Sequence, residues 1–252
     1  MMPEATTALA FQCTDCDYES DQDFKFCPKC GAKRIYQEHE PNPFKSKHLK
    51  SLLAYFFISM LFLIIYKVSE DHWIGLLEDV ILVCTVLGVI DLVFALYNGK
   101  ESFLFGFKNV KIKPMGLLLL GLVAFAFVVS FLADFLNQNL SDGYYFDAFA
   151  FGQPLWVVVV LQCIYPAVFE ELAFRGFLIN NLRALSNDRT AIGVSGFLFA
   201  IMHINFLGLL WLLPIGLLFG YLRIRYNTLW YGITGHFVYN FVITLIDNGS
   251  QF

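Results

Sequence analysis

Seven apolar stretches after residue 50 constrain the fold more than any other feature of the chain. A helix needs about 20 mainly apolar residues to cross the hydrocarbon core of a bilayer. Hydrophobic residues make up 58% of the 252 residues and charged residues only 15%, which is outside the usual range of soluble proteins. We therefore predict an all-α polytopic membrane protein of seven or eight transmembrane helices. The stretches are 51–66, 73–97, 115–136, 154–182, 190–203, 206–222 and 229–246.

The basic residues between these stretches predict an orientation in the membrane. Cytoplasmic loops carry an excess of Lys and Arg. With a cytoplasmic N-terminus, the outer segments contain only Lys67 and the inner loops contain Lys100, Lys108, Lys111, Lys113, Arg183, Arg189, Arg223 and Arg225. We therefore expect an integral membrane protein with its N-terminus in the cytoplasm. The short loops favour a prokaryotic plasma membrane, and no feature points to nucleic acid.

Four of the six cysteines lie within the first 30 residues. They form two Cys-x-x-Cys knuckles, Cys13 with Cys16 and Cys27 with Cys30, ten residues apart. This spacing is typical of a zinc ribbon, in which four thiolates complete a tetrahedral site with no open position for chemistry. We expect a structural zinc ion here, and a pair of disulfides is the alternative.

The fourth apolar stretch contains the segment FEELAFRG at 169–176, which puts charged groups at membrane depth. A charge within a bilayer is costly, so such a residue is a functional candidate with a partner to be found. Glu171 and Arg175 are four residues apart and share a helix face. We expect them to form an ion pair.

Four further polar positions are predicted to lie at similar depth. At a rise of about 1.5 Å per residue, they lie about 10 to 20 Å from the cytoplasmic ends of their helices. They are Glu170, His203, His236 and Asn240. A carboxylate among apolar side chains can act as a general base for water, and His and Asn can donate hydrogen bonds to an oxyanion. The same residue types can also hold zinc, and spacing alone does not choose between these possibilities.

Three motifs occur in order on separate apolar stretches. They are EExxxR at Glu170, Glu171 and Arg175, FxxxH at Phe199 and His203, and HxxxN at His236 and Asn240. Over about 150–245 the chain thus resembles the CPBP, or Abi, family of intramembrane endopeptidases. The family is named for CAAX proteases and bacteriocin-processing enzymes, and it includes the type II CAAX prenyl endopeptidases.

The resemblance implies a role for each motif residue. Glu170 would activate water, Glu171 with Arg175 would hold that water and shape the site, His203 would contact the water, and His236 with Asn240 would stabilise the oxyanion. It favours a glutamate-dependent reaction without a catalytic metal over a metalloendopeptidase. The implied substrate is a membrane-associated protein or peptide, in CAAX-type C-terminal processing or in bacteriocin maturation.

The predicted organisation is a zinc ribbon at 1–34, a polar basic linker at 35–50 and a transmembrane protease domain at 51–252. The bilayer surrounds the last of these. The ribbon, being cytoplasmic, is a candidate binding site for a cytoplasmic protein partner.

Three other interpretations compete with a CPBP-type protease. A catalytically silent scaffold or immunity protein could keep the same pocket. Gly193-Val-Ser195-Gly196 matches the GxSG nucleophile motif of rhomboid proteases, with His236 as a possible base. A transporter is the third alternative, because the second stretch contains Glu78, Asp79 and Asp91 and carboxylates at membrane depth also mark ion paths.

Overall fold

The computed structural model describes residues 11–13, 16, 18–20, 26–31, 46–68, 76–139 and 153–249. The chain divides into two compact units, Met1–Asn42 and Pro43–Phe252. The division lies inside the segment predicted to be a linker.

The small unit contains a short antiparallel ribbon. Strands β1 (Phe11–Gln12) and β2 (Glu19–Ser20) pair with Phe11 opposite Ser20. The second knuckle ends at Gly31, which has φ of +74° and donates its N–H to the carbonyl of Cys27 at 2.9 Å. Glycine adopts this left-handed conformation without a steric penalty, so the chain can turn tightly around the second pair of thiols.

The described part of the large unit folds into seven helices, one at each predicted apolar stretch. They are α1 (Lys47–Val68), α2 (Leu76–Asn98), α3 (Ile112–Asn139), α4 (Leu155–Leu185), α5 (Asp188–Met202), α6 (Leu209–Tyr226) and α7 (Trp230–Gly249). Single 3₁₀ turns at Lys100–Ser102 and Phe107–Asn109 lie between α2 and α3.

Five of the described helices, α1, α2, α3, α4 and α6, are long and apolar enough to cross a bilayer. The protein is therefore an integral membrane protein. Helix α5 has 15 residues, fewer than the usual span, and α7 carries the polar residues His236, Asn240 and Asp247. The crossing of the membrane by α5 and α7 thus stays a prediction.

Two larger clusters of buried side chains hold the helices together, besides a smaller one between α2, α4 and α7. One joins α1, α4 and α5 through residues such as Tyr55, Phe177 and Phe199. The other joins α3, α6 and α7 through residues such as Leu122, Phe219 and Ile243. The large apolar side chains on the outer faces of α1 to α3 are exposed, as expected for helices whose solvent is lipid: Phe57, Leu120, Phe127 and Phe131 are examples.

Helix α4 is interrupted by two π-helical segments, Val159–Ile164 and Leu172–Leu178. They flank the α-helical Tyr165–Glu171, which contains both glutamates of the EExxxR motif. π-Helical turns are rare and are often found at functional sites. Three buried side chains donate to carbonyls of the second segment: Ser195 to Phe174 at 3.2 Å, Arg223 to Arg175 at 3.0 Å and Asn181 to Phe177 at 2.9 Å. These bonds fix the wide turn against α5 and α6.

Helices α5 and α6 approach each other through glycine. A Cβ atom at Gly216 would lie 2.9 Å from the carbonyl oxygen of Gly196 and 3.0 Å from its Cα. Small residues allow such close backbone contact in membrane domains. The contact brings the end of α5, where His203 lies, next to α4 and α7.

Candidate active site

A cavity of about 590 Å³ lies within the large unit. Four of the predicted site residues, Glu170, His203, His236 and Asn240, line it together. Most of the remaining wall is apolar, with Leu63, Val83, Leu87, Phe169, Met202, Leu212 and Ile215 among its residues. The structure therefore brings polar groups from α4, α5 and α7 into one largely apolar chamber.

Glu170 faces two histidines. Its Oε2 atom lies 4.0 Å from Nε2 of His203 and 4.0 Å from Nε2 of His236. Within the described part of the chain this oxygen is buried and makes no hydrogen bond. A separation of 4.0 Å is too long for a direct hydrogen bond, but it suits groups that share one bridging oxygen atom.

His203 is held by the motif to which it belongs. Its Nδ1 lies 2.8 Å from the carbonyl oxygen of Phe199, one helical turn earlier. A carbonyl oxygen only accepts, so Nδ1 carries the proton, and in the neutral ring Nε2 is left as an acceptor facing Glu170. The Phe199 ring meanwhile lies over the guanidinium of Arg175, with 4.5 Å between Cζ and the ring centroid. The FxxxH motif therefore fixes the tautomer of His203 and places the Phe199 ring over the Arg175 guanidinium.

The second glutamate of the motif lies behind the cavity wall. Glu171 and Arg175 are both fully buried and form an ion pair with 2.7 Å between Oε1 and Nη1. Arg175 also donates to the carbonyl oxygen of Gly216 at 3.2 Å. Neither Glu171 nor Arg175 lines the cavity. Oε1 of Glu171 instead lies 3.4 Å from Nδ1 of His236, within ion-pair distance but outside hydrogen-bond geometry.

Gly232 is a residue of the site that the sequence did not reveal. A Cβ atom at this position would lie 1.9 Å from Oε2 of Glu171. Gly232 precedes His236 by four residues and so shares its face of α7. That spacing was the available signal. The missing side chain of Gly232 leaves room for the buried carboxylate of Glu171 beside His236.

Asn240 also reaches the cavity from α7. Its Nδ2 donates one hydrogen bond, at 2.8 Å, to the carbonyl oxygen of Gln162 in the first π-helical segment of α4. A side-chain amide has two N–H donors. The second N–H of Asn240 thus remains for a group inside the cavity, while the first fixes the direction of the amide.

The part of the chain that contains the three motifs matches a known protein family. The protein-family model described as "Rce1-like: Type II CAAX prenyl endopeptidase Rce1-like" matches residues 152–242. These residues include every motif residue from Glu170 to Asn240. This region of the chain is similar to the Rce1-like family. The match supports the resemblance to CAAX-type intramembrane proteases that the three motifs predicted. Comparisons with curated proteins and with solved structures gave no significant match.

Ser195 has a structural role in the region that matches the Rce1-like family. Its hydroxyl is fully buried and donates to the carbonyl oxygen of Phe174 at 3.2 Å. It does not line the cavity that contains His236. The geometry therefore gives no support to a rhomboid-type nucleophile, and the neighbouring Gly196 serves the close packing of α5 on α6.

Outside the region that matches the Rce1-like family, the four N-terminal thiols converge. The Sγ atoms of Cys13, Cys16, Cys27 and Cys30 all lie within 4.8 Å of one another, and those of Cys13 and Cys30 are 3.6 Å apart. Zinc–sulfur bonds of about 2.3 Å in a tetrahedron put sulfur atoms about 3.8 Å apart, so the donor set fits a metal ion. In the part of the chain that the structure describes, no other group of three or more His, Cys, Asp or Glu residues is spaced this closely.

The turn around the second Cys-x-x-Cys knuckle favours the thiolate form of Cys27. Desolvation raises the pKa of the Cys27 thiol, but hydrogen bonds from the backbone N–H groups of Cys30 and Lys29 and from neighbouring thiols lower it to about 7. The bond from Lys29 to Cys27 Sγ spans 3.4 Å. Because the thiolate is the form that binds metal, this N–H pattern supports a ligand role for Cys27.

Proposed function

We propose that this chain is a glutamate-dependent intramembrane endopeptidase in which Glu170 is the general base. The observation that carries the proposal is the position of Glu170 Oε2. It is buried, it has no hydrogen-bond partner in the described residues, and it lies 4.0 Å from two imidazole nitrogens. One water molecule among these three groups would be oriented by His203 and deprotonated by Glu170.

In the proposed reaction, the water oxygen bonds to the carbonyl carbon of the scissile peptide as its proton passes to Glu170. The resulting oxyanion accepts hydrogen bonds from Asn240 and from His236. Glu171 Oε1, 3.4 Å from Nδ1 of His236, orients the ring so that its Nε2, as the donor to the oxyanion, faces the cavity. When the C–N bond breaks, Glu170 returns the proton to the leaving amine.

Arg175 supports this reaction without touching the substrate. A buried glutamate beside His236 requires a counter-ion, and the ion pair at 2.7 Å supplies it. Two phenyl rings, Phe199 and Phe219, lie 4.5 and 5.4 Å from the guanidinium carbon and exclude water from it. The pair thereby sets the orientation of His236.

The proposed substrate is a membrane-associated protein or peptide. The family name indicates CAAX-type C-terminal processing, and maturation of a bacteriocin or another membrane peptide is the second possibility for the same chemistry. A cavity with mainly apolar walls among membrane helices suits a segment that reaches the site from the bilayer.

We further propose that all seven helices cross a prokaryotic plasma membrane, with the N-terminus in the cytoplasm. The distribution of Lys and Arg among the connections supports this orientation. The ribbon would then bind a structural zinc ion in the cytoplasm through Cys13, Cys16, Cys27 and Cys30, where a protein partner could reach it.

The experiment is a cleavage screen with the full chain in detergent or vesicles. Quenched fluorogenic peptides, prenylated and unprenylated and each with a membrane-inserting anchor, are tested with and without the zinc chelator phenanthroline. We expect cleavage that persists in the chelator and is abolished by Glu170→Gln. Cleavage lost in the chelator, while the ribbon variant Cys13→Ser still cleaves without it, would overturn the metal-free mechanism. Failure to cut any peptide would favour the silent scaffold.

A further inference from the structure

Asp91 on α2 is a carboxylate that neither the three motifs nor the matched family region includes. It is only 5% exposed, yet it lines the same cavity as Glu170. Cys84, Leu87 and Asp91 recur every three to four residues, so one face of α2 forms this wall. A buried carboxylate on a membrane helix is expensive to maintain and is by default a functional candidate.

The side chain of Asp91 is held in a fixed direction. The hydroxyl of Tyr55 donates to Oδ1 of Asp91 at 2.9 Å, and Tyr55 is itself 1% exposed. The tyrosine ring packs against Phe94 and Phe177, with 5.4 Å between centroids in each case. Because this ring cannot swing away, the carboxylate keeps one orientation at the cavity wall.

No described cation compensates this carboxylate. Among the described residues, the cavity wall contains the carboxylates of Asp91, Glu170 and Asp247 but neither lysine nor arginine. In the described residues no ion pair to Asp91 is formed. The cavity is therefore electrostatically suited to a positive group, and a low-dielectric wall strengthens that attraction.

We propose that Asp91 and Tyr55 form a specificity subsite that binds the cationic side chain of a substrate lysine or arginine next to the scissile bond. This inference rests on the proposed function, because it places the reacting peptide at Glu170. The aliphatic stem of the substrate residue would lie along Leu87 and the apolar wall, as long basic side chains do at membrane depth. Its charge would meet the oxygen of Asp91 that Tyr55 does not occupy.

The test compares peptides that differ only in charge. At each of three positions on either side of the bond that wild type cuts, lysine is replaced by norleucine, which keeps the apolar stem. At one position we expect wild type to prefer lysine by about 10- to 100-fold in kcat/KM, as for a buried charge pair. Asp91→Asn abolishes most of that preference. Asp134→Asn, an exposed carboxylate on α3, keeps it.

The ratio between the two peptides is independent of how much enzyme is folded, so a destabilised Asp91→Asn still gives an answer. Tyr55→Phe provides a second variant, and we expect it to reduce the preference by a smaller factor. Equal cleavage of lysine and norleucine peptides by wild type at every position would overturn the subsite. An unchanged ratio in Asp91→Asn would do the same, and Asp91 with Tyr55 would then be a structural link between α1 and α2.

Failure of the subsite and failure of the proposed function give different results. Binding of labelled lysine and norleucine peptides is measured by fluorescence anisotropy in the Glu170→Gln background, where turnover is not required. A lysine preference in binding that disappears with Asp91→Asn supports the subsite, whatever Glu170 does. Cleavage by Glu170→Gln at the wild-type rate contradicts the proposed function alone.

Discussion

Position 232 on α7 leaves no room for a side chain beside the buried glutamate of the site. A methyl group there would lie 1.9 Å from Oε2 of Glu171, so the carboxylate must shift away from His236. We expect Gly232→Ala to lower kcat by about 100-fold, the effect of a misplacement of roughly 1 Å near an active site. KM should change much less, because Glu171 does not line the cavity.

The matched control for that glycine is Gly193→Ala on α5. A Cβ atom at Gly193 would meet nothing within 4 Å, so the same chemical change has no steric consequence. Steady-state kinetics and a thermal melt of both variants distinguish a displaced Glu171 from a general loss of stability. Equal kcat values for Gly232→Ala and Gly193→Ala would show that the position of Glu171 is unimportant.

At the level of residues, the sequence predicted which side chains meet but not how they are arranged. The spacing of Glu171 and Arg175 predicted their ion pair, and the depth estimate placed Glu170 near both histidines. The placement of Glu171 behind His236 could not be predicted, because it depends on how far α7 approaches α4. That approach is set by Gly232, and its spacing of four residues from His236 does not report how closely the two helices pack.

Among the elements, the wide turn of α4 depends on Arg223 from α6. Arg223 is 3% exposed, and its Nε donates to the carbonyl oxygen of Arg175 at 3.0 Å. Hydrogen bonds from charged groups contribute about 1.5 to 3 kcal/mol. We therefore expect Arg223→Met to lower the melting temperature and to reduce kcat more than it raises KM, because Arg175 and Glu171 lose their fixed positions.

Two further variants make that experiment specific. Arg225→Met changes an exposed arginine on the same helix and should leave both melting temperature and kcat near wild type. Arg223→Lys restores the charge and one donor, so kcat should recover in part. The interpretation fails if Arg225→Met and Arg223→Met behave alike in the melt and in the kinetics.

The positions of the helices were predictable, whereas their irregularities were not. Each of the seven apolar stretches coincides with one helix, and five of these helices are long and apolar enough to cross a bilayer. The π-helical segments of α4 follow instead from donors on other helices, such as Ser195 and Arg223. Such donors are distant in sequence, so local pattern does not report them.

The short ribbon gives an independent prediction about metal. We expect the purified protein to contain about one zinc ion per chain and Cys13→Ser to contain almost none, since one thiolate of four is lost. Cys84→Ser, in α2, should retain the ion. Elemental analysis of the three proteins measures this directly. Zinc retained in Cys13→Ser and also in Cys27→Ser would show that the four thiols do not hold it.

For the whole molecule, crossing of the bilayer by α5 puts its two ends on opposite sides. In a background without reactive cysteines, a cysteine at Asn187 should be labelled by an impermeant maleimide only from the cytoplasmic face. A cysteine at the exposed Phe206 should be labelled only from the opposite face. Labelling of both positions from one face would contradict the seven-span topology. Both ends of α5 would then lie on the same side of the membrane.

Single-turnover cleavage by Glu170→Gln tests whether Glu170 is the base that activates water. The full chain, wild type or variant, is mixed in excess with a peptide that wild type cuts, and a melt and anisotropy confirm that the variant folds and binds. Loss of a general base predicts a fall in rate of about 10² to 10⁴-fold with little change in binding. A folded, peptide-binding Glu170→Gln that cleaves within a few-fold of wild type would rule out Glu170 as the base.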